Sequence, residues 1–210
     1  YLGAPPYLFF LSDPDHTGKC TKQEILLKGF GSQDTHETLN TFQWGPDQKL
    51  YGLHGVFTHS EVDGVKMNAA VWRFDPGFGA APPKKGAPHP KGKFEIFAEG
   101  TSTPWGMDSD RHGQCFLCCC VIPHLFHMVP GGTYKRQAGA SFNPHAYGLL
   151  NEICDHTHHK LSGWAHAGLI VLEGEHIPKA QRGSLVMGSI HGCSLKQNTL
   201  KPNGSTFIGS

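Results

Sequence analysis

The sequence predicts an all-β fold, in the form of a β-propeller portion with about three and a half four-stranded antiparallel blades. Three observations point to it. The 210 residues include 27 glycines and 15 prolines, apolar residues show little helical periodicity, and short apolar runs alternate with turn signals. A propeller closes by completing its ring, so these blades are expected to belong to a larger ring. A β-sandwich is the rival interpretation of the same pattern.

The whole chain, residues 1–210, is interpreted as one partial propeller domain. Its blade units are expected at approximately residues 1–30, 31–100, 101–142 and 143–210. Three inner strand pairs are predicted, at residues 39–44 with 50–53, 105–108 with 114–122, and 169–172 with 183–189. Four outer hairpins are predicted, at residues 8–11 with 24–29, 70–74 with 93–98, 125–129 with 134–138, and 193–197 with 206–208. The insertion Gly77–Gly92 interrupts the second of these hairpins.

The best-defined unit is the stretch Gln33–Gly55. A polar loop with His36 leads into one apolar run, and a Gly-Pro-Asp-Gln turn leads into a second run that ends at His54. Because two strands joined by a tight turn bring their outer ends together, we expect His36 and His54 on one face and Asp47 on the other. Asp110 holds the matching turn position 63 residues later.

The same strand order sorts the histidines of the whole chain to one end. Loops between blades hold His36 and His166, and loops between the second and third strands of a blade hold most of the others. This end is expected to surround the propeller axis and is called the channel face below. It carries six histidines and a tryptophan: His36, His54, His59, His124, His166, His191 and Trp105. Loops on a rigid scaffold commonly carry function, so the channel face is the predicted site.

The histidines of this face permit a metal site. His54 and His59 are five residues apart in one loop, a spacing compatible with metal ligation, and His124 and His191 complete the candidate ligand set. A divalent metal held there would polarise a carbohydrate carbonyl group or a water molecule, giving a lyase or a hydrolase. A separate cluster is interpreted either as a solvated loop or as a transition-metal site: Asp155, His156, His158 and His159.

Composition excludes several classes. The net charge of +1 gives no indication of nucleic-acid binding. No apolar run reaches the roughly 18 residues of a membrane span, and no secretory leader is visible. The motif Cys-x-x-Cys-His is missing, so no c-type haem attachment is predicted for this segment. Cys118, Cys119 and Cys120 are expected to be small buried hydrophobic residues of a strand.

Several segments together resemble a known family. They are DTHETLNTFQWGPD at residues 34–47, HGVFTHS at 54–60, GTSTPWG at 100–106, VIPHLFH at 121–127 and AHAG at 165–168. These segments are similar to the planctomycete-type membrane-bound dehydrogenase propellers, within the broader group of soluble glucose and sorbosone dehydrogenase-like quinoproteins. Those sugar dehydrogenases place Arg-Asn before a proline where this chain has Ser102, Thr103 and Pro104.

The resemblance implies a periplasmic or secreted protein that oxidises a sugar or polyol. In the family a histidine that enters an inner strand is the general base beside pyrroloquinoline quinone (PQQ), and His36 matches that position. His54, Trp105, His166 and His191 are then the expected cofactor-binding residues. A c-type cytochrome domain or other subunits are expected partners. The alternatives are the metal-dependent enzyme and a non-catalytic propeller that holds partners in a larger assembly.

Overall fold

The computed structural model of the chain describes residues 1–77, 92–154 and 165–210. The insertion beyond Gly77 and the predicted cluster of Asp155, His156, His158 and His159 lie outside the described residues. The described residues form strands and turns without an α-helix, so the all-β prediction is confirmed. In this part of the chain, no helix has the length and apolarity that crossing a membrane requires.

Eighteen strands follow one another along the described chain. They are β1 (Leu2–Ala4), β2 (Tyr7–Ser12), β3 (Lys22–Lys28), β4 (Leu39–Trp44), β5 (Leu50–His54), β6 (Ser60–Val62), β7 (Val65–Met67), β8 (Ala70–Asp75), β9 (Lys93–Thr101), β10 (Thr103–Ser109), β11 (Cys115–Cys120), β12 (Leu125–Met128), β13 (Thr133–Arg136), β14 (His166–Val171), β15 (Leu185–Ser189), β16 (Ser194–Asn198), β17 (Leu200–Asn203) and β18 (Thr206–Gly209).

The most complete blade is built from β4, β5, β8 and β9 in antiparallel order, with β13 added in parallel beside β9. Its apolar runs form strands because alternate side chains reach a shared core. Trp72, Phe30 and Phe94 lie in that core, and Gly52 lies so close to the Trp72 ring that a side chain there would meet it. The predicted inner pair at residues 39–44 and 50–53 is confirmed.

The remaining strands form smaller sheets, in the orders β1–β2–β3, β10–β11–β12, β14–β15–β16, β6–β7 and β17–β18. The inner pairs predicted at residues 105–108 with 114–122 and 169–172 with 183–189 are therefore present as β10–β11 and β14–β15. The outer hairpin predicted at residues 8–11 with 24–29 is β2–β3. Over the described part of the chain, these sheets do not close into a ring.

Two of the four predicted outer hairpins are wrong. Residues 134–138 were expected to return beside residues 125–129, but β13 pairs in parallel with β9 instead. The turn after Val129 directs the chain there, because Gly131 N–H donates to the Phe97 carbonyl at 2.7 Å and Glu99 N–H donates to the Gly132 carbonyl at 2.9 Å. β13 therefore lies along the edge of β9 and does not return beside β12.

The last predicted hairpin has the right turn but the wrong partner. Residues 206–208 were expected beside residues 193–197, whereas β18 pairs with the nearer β17 and β16 pairs with β15. The turn needs a left-handed backbone, which Gly204 adopts with φ of +62°. Because the turn contains only two residues, it pairs strands that follow each other directly along the chain, and Asn203 faces Thr206.

The inner strands of three neighbouring sheets meet at Asp108 on β10. Asp108 Oδ1 accepts a hydrogen bond from Gln43 Nε2 of β4 at 2.6 Å. Asp108 Oδ2 accepts one from the backbone N–H of Val171 on β14 at 2.8 Å. A single carboxylate therefore fixes the spacing of β4, β10 and β14.

A close backbone approach supports the same junction. A Cβ atom built on Gly106 of β10 would lie 2.6 Å from Leu169 N and 2.7 Å from Gly168 C of β14. Real Cβ atoms do not approach backbone atoms so closely, so β10 and β14 pack together only because residue 106 has no side chain.

Replacing this glycine tests the junction. Gly106→Ala should lower the free energy of unfolding by about 1–3 kcal/mol, because the added methyl group forces the two inner strands apart. The matched control is Gly148→Ala, at a position with no heavy atom within 4 Å of the added group, which should change stability by less than about 0.5 kcal/mol. Denaturant unfolding of both variants measures the difference, and equal stabilities would contradict the packing described.

Candidate functional site

The strand pairing sets which residues share an end of the sheets. His54 pairs with Leu39 at the start of β4, and His166 pairs with Ser189 at the end of β15. The acidic turns lie at the opposite ends, where Asp47 Oδ1 accepts from Lys49 N–H at 3.3 Å and Asp110 Oδ1 accepts from Gln114 N–H at 2.8 Å. The loops of the channel face therefore gather at the end away from both aspartates.

His36 lies on the loop that leads into β4. Asp34 Oδ1 accepts the backbone N–H of His36 at 2.9 Å and lies 3.2 Å from the ring Nδ1. Because a carboxylate can only accept, Nδ1 carries the hydrogen and Nε2 keeps its lone pair. The side chain is 89% exposed. An imidazole that is oriented in this way and keeps one basic nitrogen has the chemistry needed to accept a proton.

His54 is held differently. It is fully buried, with Nδ1 3.0 Å from the Gly55 carbonyl and Nε2 2.6 Å from Ser60 Oγ. Ser60 Oγ in turn accepts from Gly31 N–H at 2.7 Å. Burial lowers the pKa of His54 to about 4, and the Gly55 hydrogen bond opposes this shift. Both ring nitrogens are engaged, so His54 joins two loops in this conformation and does not face a ligand.

His124 and His166 lie together between two sheets. Both are fully buried, and their rings stack with centroids 4.3 Å apart and planes 23° from parallel. The His124 carbonyl accepts from Cys119 N–H at 2.9 Å, and the His166 carbonyl lies 3.5 Å from Cys120 Sγ. The pair packs the seam between β11 and β14.

The other predicted residues are at the surface. His59 is exposed and its ring meets Phe142 edge-on at 6.3 Å between centroids. Trp105 is 37% exposed on β10, at the bulge between Pro104 and Gly106. His191 is exposed in the turn after β15. Across residues 1–77, 92–154 and 165–210, no three His, Cys, Asp or Glu side chains are grouped to hold a metal ion.

Glu37 is the residue that sequence reasoning missed. It is only 2% exposed; Oε1 accepts from Asn40 Nδ2 at 3.0 Å, and Oε2 has no hydrogen-bond partner among the described residues. Burial, the largest cause, raises the pKa of Glu37 to about 9; the Asn40 hydrogen bond opposes the rise and the charge of Asp34 adds to it. The carboxyl group is therefore protonated at neutral pH. The sequence feature that indicates this role is the three-residue spacing between Glu37 and Asn40 at the entry to β4, which lets the Asn40 amide reach the carboxyl group.

Strained backbone occurs where β10 begins and β11 ends. Thr101 and Val121 have φ of +78° and +77°, which β-branched residues rarely adopt. Thr101 Oγ1 is buried without a hydrogen-bond partner among the described residues. Both residues flank the paired ends of β10 and β11, where Thr103 faces Cys120. Such strain persists only where the surroundings impose it, and it is common at functional sites.

The cationic residue at the edge of this face is already engaged. Arg136 on β13 donates from Nη1 to Asn68 Oδ1 at 2.9 Å, and its Nη2 lies 3.5 Å from Glu99 Oε2. Ser141 Oγ also hydrogen-bonds to Glu99 Oε2. Arg136 thus ties β13 to β9 and to the segment before β8, and Ser141 ties the loop after β13 to β9.

The buried carboxyl group makes stability depend on pH in a defined direction. The pKa of Glu37 is raised from 4.5 to about 9 on folding, so the folded chain keeps a proton that the unfolded chain releases. Its stabilisation is complete below pH 4.5 and is lost as pH rises towards 9, by on the order of 1 kcal/mol per pH unit. Glu37→Gln should therefore gain stability relative to wild type between about pH 5 and pH 9.

Unfolding free energies at several pH values measure this difference. The exposed Glu24 provides the control, because Glu24→Gln removes a carboxyl group that stays in water on folding and should not reproduce the gain expected for Glu37→Gln. A flat difference for Glu37→Gln would show that the carboxyl group is not buried as described.

Comparison with solved structures shows the fold that these sheets share. An oxidoreductase (glucose dehydrogenase) from Thermus thermophilus is similar over 88% of this chain, with 18% identity and a TM-score of 0.57. The PQQ-bound aldose sugar dehydrogenase from Streptomyces coelicolor is similar over 91% of this chain, with 16% identity and a TM-score of 0.56. The soluble aldose sugar dehydrogenase from Escherichia coli, in its apo form, is similar over 93% of this chain, with 12% identity and a TM-score of 0.57.

The chain spans 54–60% of the length of these three structures. They have the propeller fold of sugar dehydrogenases, and the sheets described above follow it, whereas the blade count remains a prediction. No curated protein matches the chain. A family whose description is "Domain of unknown function (DUF7133)" matches residues 2–210.

Proposed function

The chain belongs to this family of unknown function, and we propose that it forms part of a propeller oxidoreductase acting on a hydroxyl group of a sugar or polyol. A quinone-type cofactor, a periplasmic or secreted location and a c-type cytochrome partner belong to the same proposal. The fold shared with sugar dehydrogenases supports it. The single observation that carries it is the geometry of His36.

His36 has what proton removal from an alcohol requires. Asp34 fixes the Nδ1–H tautomer and the ring orientation, which leaves Nε2 to accept the hydroxyl proton of a substrate on the channel face. As the imidazolium forms, the Asp34 carboxylate stabilises its positive charge, since the two groups are already in contact.

The cofactor can be tested against the residues present. A quinone would supply the hydride acceptor. Its carbonyl oxygens require hydrogen-bond donors. The protonated carboxyl group of Glu37, whose Oε2 is unengaged among the described residues, could act as such a donor. The carboxylates of PQQ require cations. The described loops 31–38, 55–59, 121–124 and 190–193 contain no Lys or Arg, and Arg136 is engaged with Glu99. The described residues thus fit the quinone carbonyls and not the carboxylates.

Substitution of the base tests the proposal. In the full-length protein, His36→Asn should lower dye-linked turnover of an aldose by about 10²–10⁴-fold, because an amide cannot accept the proton. Stability should stay unchanged, since the side chain is 89% exposed.

The chain offers a matched control for this experiment. His112 has the same spacing from an aspartate, with its N–H donating to Asp110 Oδ1 at 2.9 Å, and it lies on the opposite face. His112→Asn should therefore keep wild-type turnover. Equal turnover in wild type and His36→Asn would assign His36 to the loop structure alone and leave the non-catalytic scaffold as the better account.

A further inference from the structure

The loop at residues 55–59 lies directly against the loop that carries His36. Asp34 N–H donates to Thr58 Oγ1 at 3.2 Å, and Thr58 Oγ1 donates to the Glu37 carbonyl at 3.3 Å. The Thr58 hydroxyl group therefore forms hydrogen bonds on both sides of His36 along the chain. Because Thr58 is fully buried, these bonds are shielded from water and hold the two loops together.

Two rings of the same loop lie in solvent. Phe57 is 49% exposed and His59 is exposed, whereas Thr58 between them is buried. The backbone N–H of His59 also donates to Gln33 Oε1 at 3.3 Å, which is a second link to the loop of His36. Both rings therefore lie on the solvent side of a loop that is fixed beside the candidate base.

A third ring, Phe142, reaches this loop from the segment after β13. The His59 and Phe142 rings meet edge-on, with centroids 6.3 Å apart and planes at 79°. Phe142 is 45% exposed, so the pair forms a corner that solvent can enter. Single exposed apolar side chains are ordinary on a protein surface, but rings in contact beside a candidate base form a patch that indicates binding.

The neighbours of Phe142 hold its ring in position. Ser141 Oγ hydrogen-bonds to Glu99 Oε2, and Asn143 N–H donates to Ser141 Oγ at 2.9 Å. Glu99 is only 9% exposed and lies in ion-pair contact with Arg136 Nη2 at 3.5 Å. The segment that carries Phe142 is thus tied to β9 before any ligand arrives, and such preorganisation lowers the entropy cost of binding.

Exposed rings at this place suit a sugar ring. A pyranose has an apolar face of C–H groups that packs on an aromatic ring, while its hydroxyl groups stay in water. The loops at residues 31–38, 55–59 and 139–143 contain no Lys or Arg. An anionic chain such as a polyuronate would therefore find no cation on these loops, and a neutral sugar fits them better.

We propose that Phe57, His59 and Phe142 form an aromatic subsite that stacks on the second ring of a neutral oligosaccharide, whose terminal ring meets His36. The proposal rests on the function proposed above and narrows its substrate class from any sugar to an oligosaccharide. Because the three rings lie on and against the loop next to that of His36, they meet the ring beside the oxidised one and not the oxidised ring itself.

Steady-state turnover of the full-length protein with glucose, maltotriose and cellotriose tests the subsite. In wild type, kcat/KM for the better trisaccharide should exceed that for glucose at least about tenfold, because a second ring is bound. Phe142→Ala and Phe57→Ala should each lower this ratio about five- to tenfold, mainly through the KM of the trisaccharide. Phe142→Tyr keeps the ring and should keep the ratio. A wild-type ratio near one, or an unchanged ratio in Phe142→Ala, would overturn the proposal.

Trp44 provides the matched control. It is 45% exposed and its ring meets Tyr1 edge-on at 5.7 Å between centroids, as Phe142 meets His59. It pairs with Leu50 at the end of β4 away from His54, so it lies far from the channel face. Trp44→Ala should keep the wild-type ratio, and a fall equal to that of Phe142→Ala would contradict a local subsite.

Calorimetric binding of the same sugars separates this proposal from the proposed oxidation. Wild type should bind the better trisaccharide at least about tenfold more tightly than glucose, and Phe142→Ala should lose most of this difference. If this binding is present but no sugar is oxidised, the subsite stands and the oxidation is overturned. If glucose is oxidised but the trisaccharide binds no more tightly than glucose, the subsite is overturned and the oxidation stands.

Discussion

The Asp108 carboxylate is the interaction on which the arrangement of sheets depends. Each of its oxygens serves a neighbouring sheet, Oδ1 through Gln43 of β4 and Oδ2 through the backbone N–H of Val171 on β14. A backbone N–H in such a seam must find an acceptor, so the carboxylate satisfies a requirement that sheet pairing leaves open. Gly106, two residues earlier, allows β14 to come close enough for this bond to form.

Once these inner strands are fixed at one end, the loops at their other end are fixed relative to each other. The channel face then contains two kinds of histidine. His54, His124 and His166 are buried and hold loops or sheets together, whereas His36 is exposed and oriented by Asp34. Glu37, the next residue along the chain, is buried and has one carboxyl oxygen with no hydrogen-bond partner among the described residues. On the function proposed above, the exposed and oriented imidazole of His36 is the group that meets the hydroxyl group of the substrate.

The sequence was sufficient where structure is decided locally. The turn around Asp47 specifies the β4–β5 hairpin through its own backbone hydrogen bonds, and the prediction of that unit is confirmed. It was insufficient where the partner is distant: β13 joins β9 because of contacts made by Gly131 and Gly132 with another strand. For the same reason the engagement of His54 by Ser60, and the burial of Glu37, depend on packing that spacing along the chain does not encode.

The central claim is that a sugar binds at the channel face beside His36. Histidine side-chain NMR on the full-length protein tests it most directly, because His36 and His112 each donate a backbone N–H to the aspartate two residues earlier and lie on opposite faces. Titration with glucose should move the His36 ring resonances and leave those of His112 unchanged. Resonances of His36 that do not respond to saturating glucose, or a response confined to His112, would contradict the account.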